Sequence, residues 1–103
     1  MSEDAPAGDL FQGALYVGAS FLRRGDFFQA HGSFVRAARL APEEERELAR
    51  GLAHLAAAGH KRRLGDERGC QRQLTHARRR LTPFLPRARN LELTALIEDI
   101  AAA

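Results

Sequence analysis

One cysteine, no tryptophan and one tyrosine leave this 103-residue chain short of the residues that disulfides and many cofactor sites need. Cys70 alone can form neither an internal disulfide nor a cysteine-based zinc site. Its place on an apolar stripe fits a reducing compartment. Long apolar runs are missing too. The least polar stretch, GLAHLAAAG, falls far short of the ~20 residues that cross a bilayer, so no membrane partner is expected. The start, MSEDAPAGD, is acidic and leads into no apolar run, so no signal peptide is expected and the cytoplasm is the expected location. No segment of four or more residues alternates as a strand does, so no strand is expected and no Gly-rich phosphate loop can follow one. Ser20 and Ser33 lie in no nucleophile elbow.

What is present is helix and positive charge. The length suits one domain with one modest core. Net charge is +3, unevenly spread: Lys61 to Arg89 holds ten basic residues against two acidic, and the remainder holds six against eleven. A segment of that sign attracts polyanions, although a solvated helix face has the same composition.

Apolar residues recur at spacings of three and four throughout, which predicts an all-α fold. Residues 1–8 are expected to form a flexible tail ahead of a single helical-bundle domain over 9–103. The first helix is expected over Asp9 to Arg24, with Leu10, Phe11, Ala14, Leu15, Phe21 and Leu22 inward. Gly25 ends it, and Asp26 is expected to cap a second helix over Phe27 to Leu40. The inward stripe of that helix reads Phe27, Ala30, His31, Phe34, Val35 and Ala38. Pro42 fits the first turn of a third helix, followed by glutamates that suit the positive end of its dipole. That helix is apolar nearly all round between Gly51 and Gly59, which makes it the central one. Asp66 caps a fourth helix over Glu67 to Leu81, with Cys70, Leu74, Ala77 and Leu81 inward. Asn90 is expected to cap a short last helix carrying Leu93, Leu96, Ile97 and Ile100.

RRGDFFQA and RLGDERGC occupy matching places forty residues apart, each closing one helix and opening another. The expected architecture is therefore a compact bundle of about five helices: two stacked helix–turn–helix hairpins plus a short C-terminal helix. The first hairpin resembles a tetratricopeptide repeat, with Gly18, Phe21, Ala30, Phe34, Ala37 and Pro42 at that motif's spacing. The second matches less well, having Lys61 where an aromatic belongs. Two imperfect repeats give tetratricopeptide-like packing without an array.

The candidate polar site is His31, His54 and His60. Two or three neutral imidazoles can hold zinc, nickel or copper, but such sites usually add a carboxylate or a further ligand. No carboxylate shares the expected inward face of His31, and a hydrogen-bonded structural histidine explains the residue as well. The candidate basic face is Arg68, Arg72, Arg78, Arg79 and Arg80. Nucleic-acid binding wants aromatics beside such charge, and Phe84 is the one in reach.

Taken together, FLRRGDFFQAH, ARGLAHLAAAGHKRRLGD, CQRQLTHARRRL and LTPFLPRARNLELTALIEDI resemble the family known as domain of unknown function 309. The resemblance runs from about Phe21 to Ile100 and implies an all-α bundle with no established activity. The family pattern at His31 is His-Glu, a second Glu three residues on and a Trp three beyond. Here Gly32, Val35 and Ala38 stand in those places. His54 stands where the family commonly has Gln, and His60 agrees with a family His. An acid–base or metal site built on that pattern would lack both carboxylates in this chain.

The leading expectation is thus a non-enzymatic helical module for protein–protein interaction or self-association, with no cofactor. A nucleic-acid-associated protein using residues 61–89 is the alternative. A metal-dependent enzyme around His31, His54 and His60 is the second.

Overall fold

Gly25 and Gly65 end two helices in the same way. Both lie in the left-handed region, at φ +78° and +82°, which glycine adopts without steric cost. Each glycine N–H bonds back three residues, to Leu22 and to Arg62. Each following aspartate N–H bonds back five, Asp26 to Phe21 and Asp66 to Lys61. This pair of bonds satisfies the last carbonyls of a helix and reverses the chain. The forty-residue sequence repeat is therefore a repeat of backbone geometry.

The structure is a computed structural model that describes residues 7–102, with side chains from Leu10 onward. The expected tail over 1–8 lies outside the described residues as far as residue 6, and residues 7 and 8 already belong to the first helix. The first hairpin is α1 (Ala7–Arg23) and α2 (Phe27–Leu40). The second is α3 (Arg46–Arg63) and α4 (Glu67–Leu81), and α5 (Leu93–Ala102) closes the chain. The fold is an all-α bundle of five helices among the described residues, as periodicity indicates. No helix among these residues is long and apolar enough to cross a membrane.

The helices pack in chain order, α1 on α2, α2 on α3, α3 on α4, while α5 lies against α3 and α4. The α3 helix is the central one. Leu48, Leu52 and Leu55 on it are fully buried, together with Phe11, Leu15, Phe34, Leu74 and Leu81 from its neighbours. Cys70 is buried in the same core, and burial pushes its thiol pKa up, which suits a packing residue more than a nucleophile. Gly18 receives the ring of Phe34: a Cβ there would sit 2.5 Å from Phe34 Cε1. The radius of gyration, 13.2 Å, is what about 100 residues give when folded as one domain.

Several local expectations are corrected. Glu43–Glu45 form a 3₁₀ turn preceded by Pro42, so α3 starts at Arg46 and Pro42 lies outside it. Leu10 is 48% exposed, on the open side of α1. Asp66 caps α4 through its side chain, accepting from Gly69 N–H at 2.8 Å, whereas Asp26 makes no side-chain cap bond on α2. Asp26 instead pairs with Arg24 at 3.4 Å. No strand was expected, yet β1 (Arg87–Ala88) and β2 (Leu91–Glu92) pair antiparallel, Arg87 opposite Glu92 and Ala88 opposite Leu91. Arg89 and Asn90 form the turn, at φ +52° and +61°, the two positive values that a two-residue hairpin of this hand requires. Asn90 is thus a turn residue and caps nothing.

That hairpin ties the ends of the chain together. Arg89 donates to both carboxylate oxygens of Glu45, lies over the Phe11 ring at 4.8 Å, and donates from Nη1 to Gln12 Oε1 at 3.1 Å. Gln12 Nε2 in turn donates to the Arg89 carbonyl at 2.9 Å.

Candidate functional site

The antiparallel pair α2 and α3 leaves one long side open. Residues three and four apart share a helix face, so Phe28, His31, Val35, Ala38 and Arg39 form one stripe of α2. Arg46, Arg50, Ala53, His54, Ala57 and His60 form the facing stripe of α3. At one end Phe28 and His60 meet, with ring centroids 6.4 Å apart. At the other, Val35, Ala38, Arg39, Arg46, Arg50 and Ala53 line a groove of about 530 Å³. Small and branched apolar side chains make its floor, and three guanidinium groups make its rim.

Acid is scarce on the two helices that form it, and the glutamates Glu43–Glu45 lie in the turn that joins them. No Asp or Glu occurs from Phe27 to Leu40, and Glu47 is the single one from Arg46 to Arg63. Glu47 is already engaged, accepting from Arg50 at 2.9 Å and from Arg80 of α4 at 2.7 Å. Those two hydrogen bonds hold its carboxyl below the usual range, so it is ionised at any pH near neutral. Arg39 and Arg46 make no ion pair and no side-chain hydrogen bond among the described residues.

His31 does not point into the core, as its neighbours in sequence suggested. The side chain is exposed, and Ala30, Phe34 and Ala37 supply the buried stripe of α2. The imidazole pKa is lowered, first by partial burial of the ring and then by repulsion from His54 and His60. The three histidines are therefore brought near one another, on a surface. His54 is half-buried, and its Nδ1 lies 2.7 Å from Gln73 Oε1. His76 joins the group from α4, with its ring centroid 5.1 Å from that of His54. Its pKa is lowered by desolvation, then by His54, Arg79, Arg80 and Arg72. All four histidines of the chain thus lie on the face that α2, α3 and α4 share. Among the described residues, no three His, Cys, Asp or Glu side chains are grouped so that they could hold a metal ion.

The five arginines expected to form one basic face are dispersed. Arg68 and Arg72 flank a shallow hollow on the outer side of α4 with Glu67, Gln71 and Thr75. Arg79 follows them on the same stripe, but Arg78 turns toward α5, beside Thr82, Leu85, Thr94, Ile97 and Glu98. Arg80 crosses to Glu47. Other charges of the 61–89 run are used to hold the fold. Arg62 bonds Glu67 and the Ile100 carbonyl, Arg63 bonds the Gly25 carbonyl, Arg87 pairs with Glu92, and Arg89 with Glu45.

Arg39, Arg46 and Arg50 were not singled out from sequence. They fall outside the densest basic run, and the loop between α2 and α3 separates them. The signal that marks them is the lack of acid across two successive helices, which a count made helix by helix reveals. No family model, curated protein or solved structure matches this chain, so the resemblance to domain of unknown function 309 rests on its quoted motifs.

Proposed function

We propose that this protein is a non-enzymatic helical binding module of the cytoplasm, whose α2–α3 groove takes an acidic segment of a partner protein. One observation carries this reading: an apolar floor of Val35, Ala38 and Ala53 rimmed by Arg39, Arg46 and Arg50, with Glu47, the one carboxylate on the two helices, already held by two arginines. A negatively charged amphipathic segment satisfies both parts, burying apolar side chains on the floor and pairing carboxylates with the rim. The charge would act chiefly on encounter rate and selectivity, and salt would weaken it.

The test is fluorescence anisotropy with a labelled, aspartate-rich amphipathic peptide at low and at physiological salt. Binding that weakens with salt, and that the Arg39→Glu/Arg46→Glu variant abolishes, supports the reading. Equal binding by that variant, or preference for a single-stranded oligonucleotide over the peptide, refutes it.

A second reading, self-association, is supported by α1. Leu10, Tyr16 and Val17 are each between 43% and 50% exposed, and the exposed residues from Leu10 to Ser20 carry no charge. An apolar face at the end of a helical stack resembles an uncapped repeat. Light scattering distinguishes the two: a dimer that Val17→Glu converts to monomer places a second copy on α1.

A further inference from the structure

Resting on that reading of the groove, we infer that its occupancy is linked to protons: an acidic segment seated there draws protons onto the histidine row, and binds more tightly as pH falls. The argument begins with placement. His31 on α2, His54 and His60 on α3 and His76 on α4 are all the histidines the chain has, and they occupy one face. His31 stands one helical turn before Val35, and His54 follows Ala53 and stands one turn after Arg50. The row therefore continues the groove beyond its Val35–Ala53 end, away from Arg39 and Arg46.

The charges facing these rings are nearly all positive. His31 faces His54 and His60. His76 faces His54, Arg72, Arg79 and Arg80. Arg39, Arg46 and Arg50 lie along the groove. Lys61 is near Asp66, at 3.9 Å, and Glu47 is held by Arg50 and Arg80. In the free protein a proton added to His31 is resisted by the neighbouring imidazoles, and one added to His76 by His54 and the arginines of α4. An acidic segment supplies the missing opposite charge. It therefore raises the proton affinity of the row in the complex relative to the free protein.

The sign follows by linkage. A group whose proton affinity is higher in the complex makes the complex bind more protons. Affinity for the segment then rises as pH falls through the value in the complex, and levels off below the value in the free protein. One unit of difference at one histidine corresponds to about a tenfold change in affinity. Aspartate side chains of the segment titrate near 4, so they stay ionised across the interval and contribute little to the change.

Isothermal titration of the full chain with the aspartate-rich peptide, at pH 7.5 and 5.5, tests this. The expected result is about tenfold tighter binding at pH 5.5. Net proton uptake at pH 6.5, read from two buffers of different ionisation enthalpy, should accompany it. In the His31→Gln/His76→Gln variant the ratio of the two affinities should move toward one. Wild-type NMR titration of the imidazole carbons, with and without peptide, gives the same answer without any variant. Binding of equal strength at both pH values with no proton uptake overturns the linkage and leaves the groove reading intact. No binding at either pH overturns both.

Discussion

Gln73 Oε1 lies 2.7 Å from His54 Nδ1, a hydrogen bond that the Nδ1–H tautomer of His54 donates. In that tautomer Nε2 is the unprotonated nitrogen. Nitrogen-15 spectra at pH 8 should show His54 as the Nδ1–H tautomer. In Gln73→Ala that tautomer should lose its dominance. An Nε2–H tautomer in the wild type would contradict the pairing.

Asp26 and Asp66 occupy equivalent turns but cap differently. Asp66 accepts from Gly69 N–H, so Asp66→Ala should cost about 1 kcal/mol. In a domain of this size that lowers Tm by about 4–8 °C. Asp26 makes no cap bond and has only an exposed pairing with Arg24, so Asp26→Ala should fall within about 0.5 kcal/mol of wild type. Thermal melts of the two variants, read by circular dichroism, check the asymmetry.

Two helical glycines should respond to alanine in opposite directions. At Gly18 a Cβ would press into the Phe34 ring from 2.5 Å, and the overpacking should destabilise by about 1–3 kcal/mol, less the helix-propensity gain. At Gly32 nothing lies within 4 Å, so Gly32→Ala should stabilise by about 0.5–1 kcal/mol. Urea midpoints measured side by side decide both signs.

The Arg89–Glu45 pair makes stability depend on acid. Hydrogen bonds from Arg89 hold the Glu45 carboxyl below its usual range, and both side chains are about three-quarters shielded from water. A carboxyl lowered in the folded state stabilises above its unfolded pKa, and the contribution is lost as pH falls through the folded value. Arg89→Ala should therefore cost about 1–3 kcal/mol at pH 7. The deficit should shrink as pH falls below the ordinary range of a glutamate carboxyl. Chemical denaturation at several pH values reads it, and a deficit that does not change with pH contradicts this role.

Most of the fold is legible in the chain because apolar spacing and glycine turns are local. Gly25 and Gly65 mark the ends of α1 and α3, and Leu48, Leu52 and Leu55 mark the central helix. His31 misleads because spacing fixes a period and not the centre of the buried arc. On α2 that arc centres on Ala30, Phe34 and Ala37, and His31 lies at its rim with Val35 and Ala38. Polar character decides which rim residues face water, and a histidine gives little guidance there. The β-hairpin is two residues per strand, too short for alternation to register, and its turn puts Arg89 at a positive φ that an arginine seldom adopts. The groove depends on which residues of α2 face which of α3, a relationship that no linear count contains.

The most direct measurement for the central claim is a proton–nitrogen NMR titration of the protein with the aspartate-rich peptide. Binding at the α2–α3 groove predicts the largest shifts at the amides of Val35, Ala38 and Ala53, together with the Nε–H signals of Arg39 and Arg46. Shifts confined to Arg68, Arg72 and Arg79 on the outer side of α4, or to Leu10 and Val17 on α1, would contradict it.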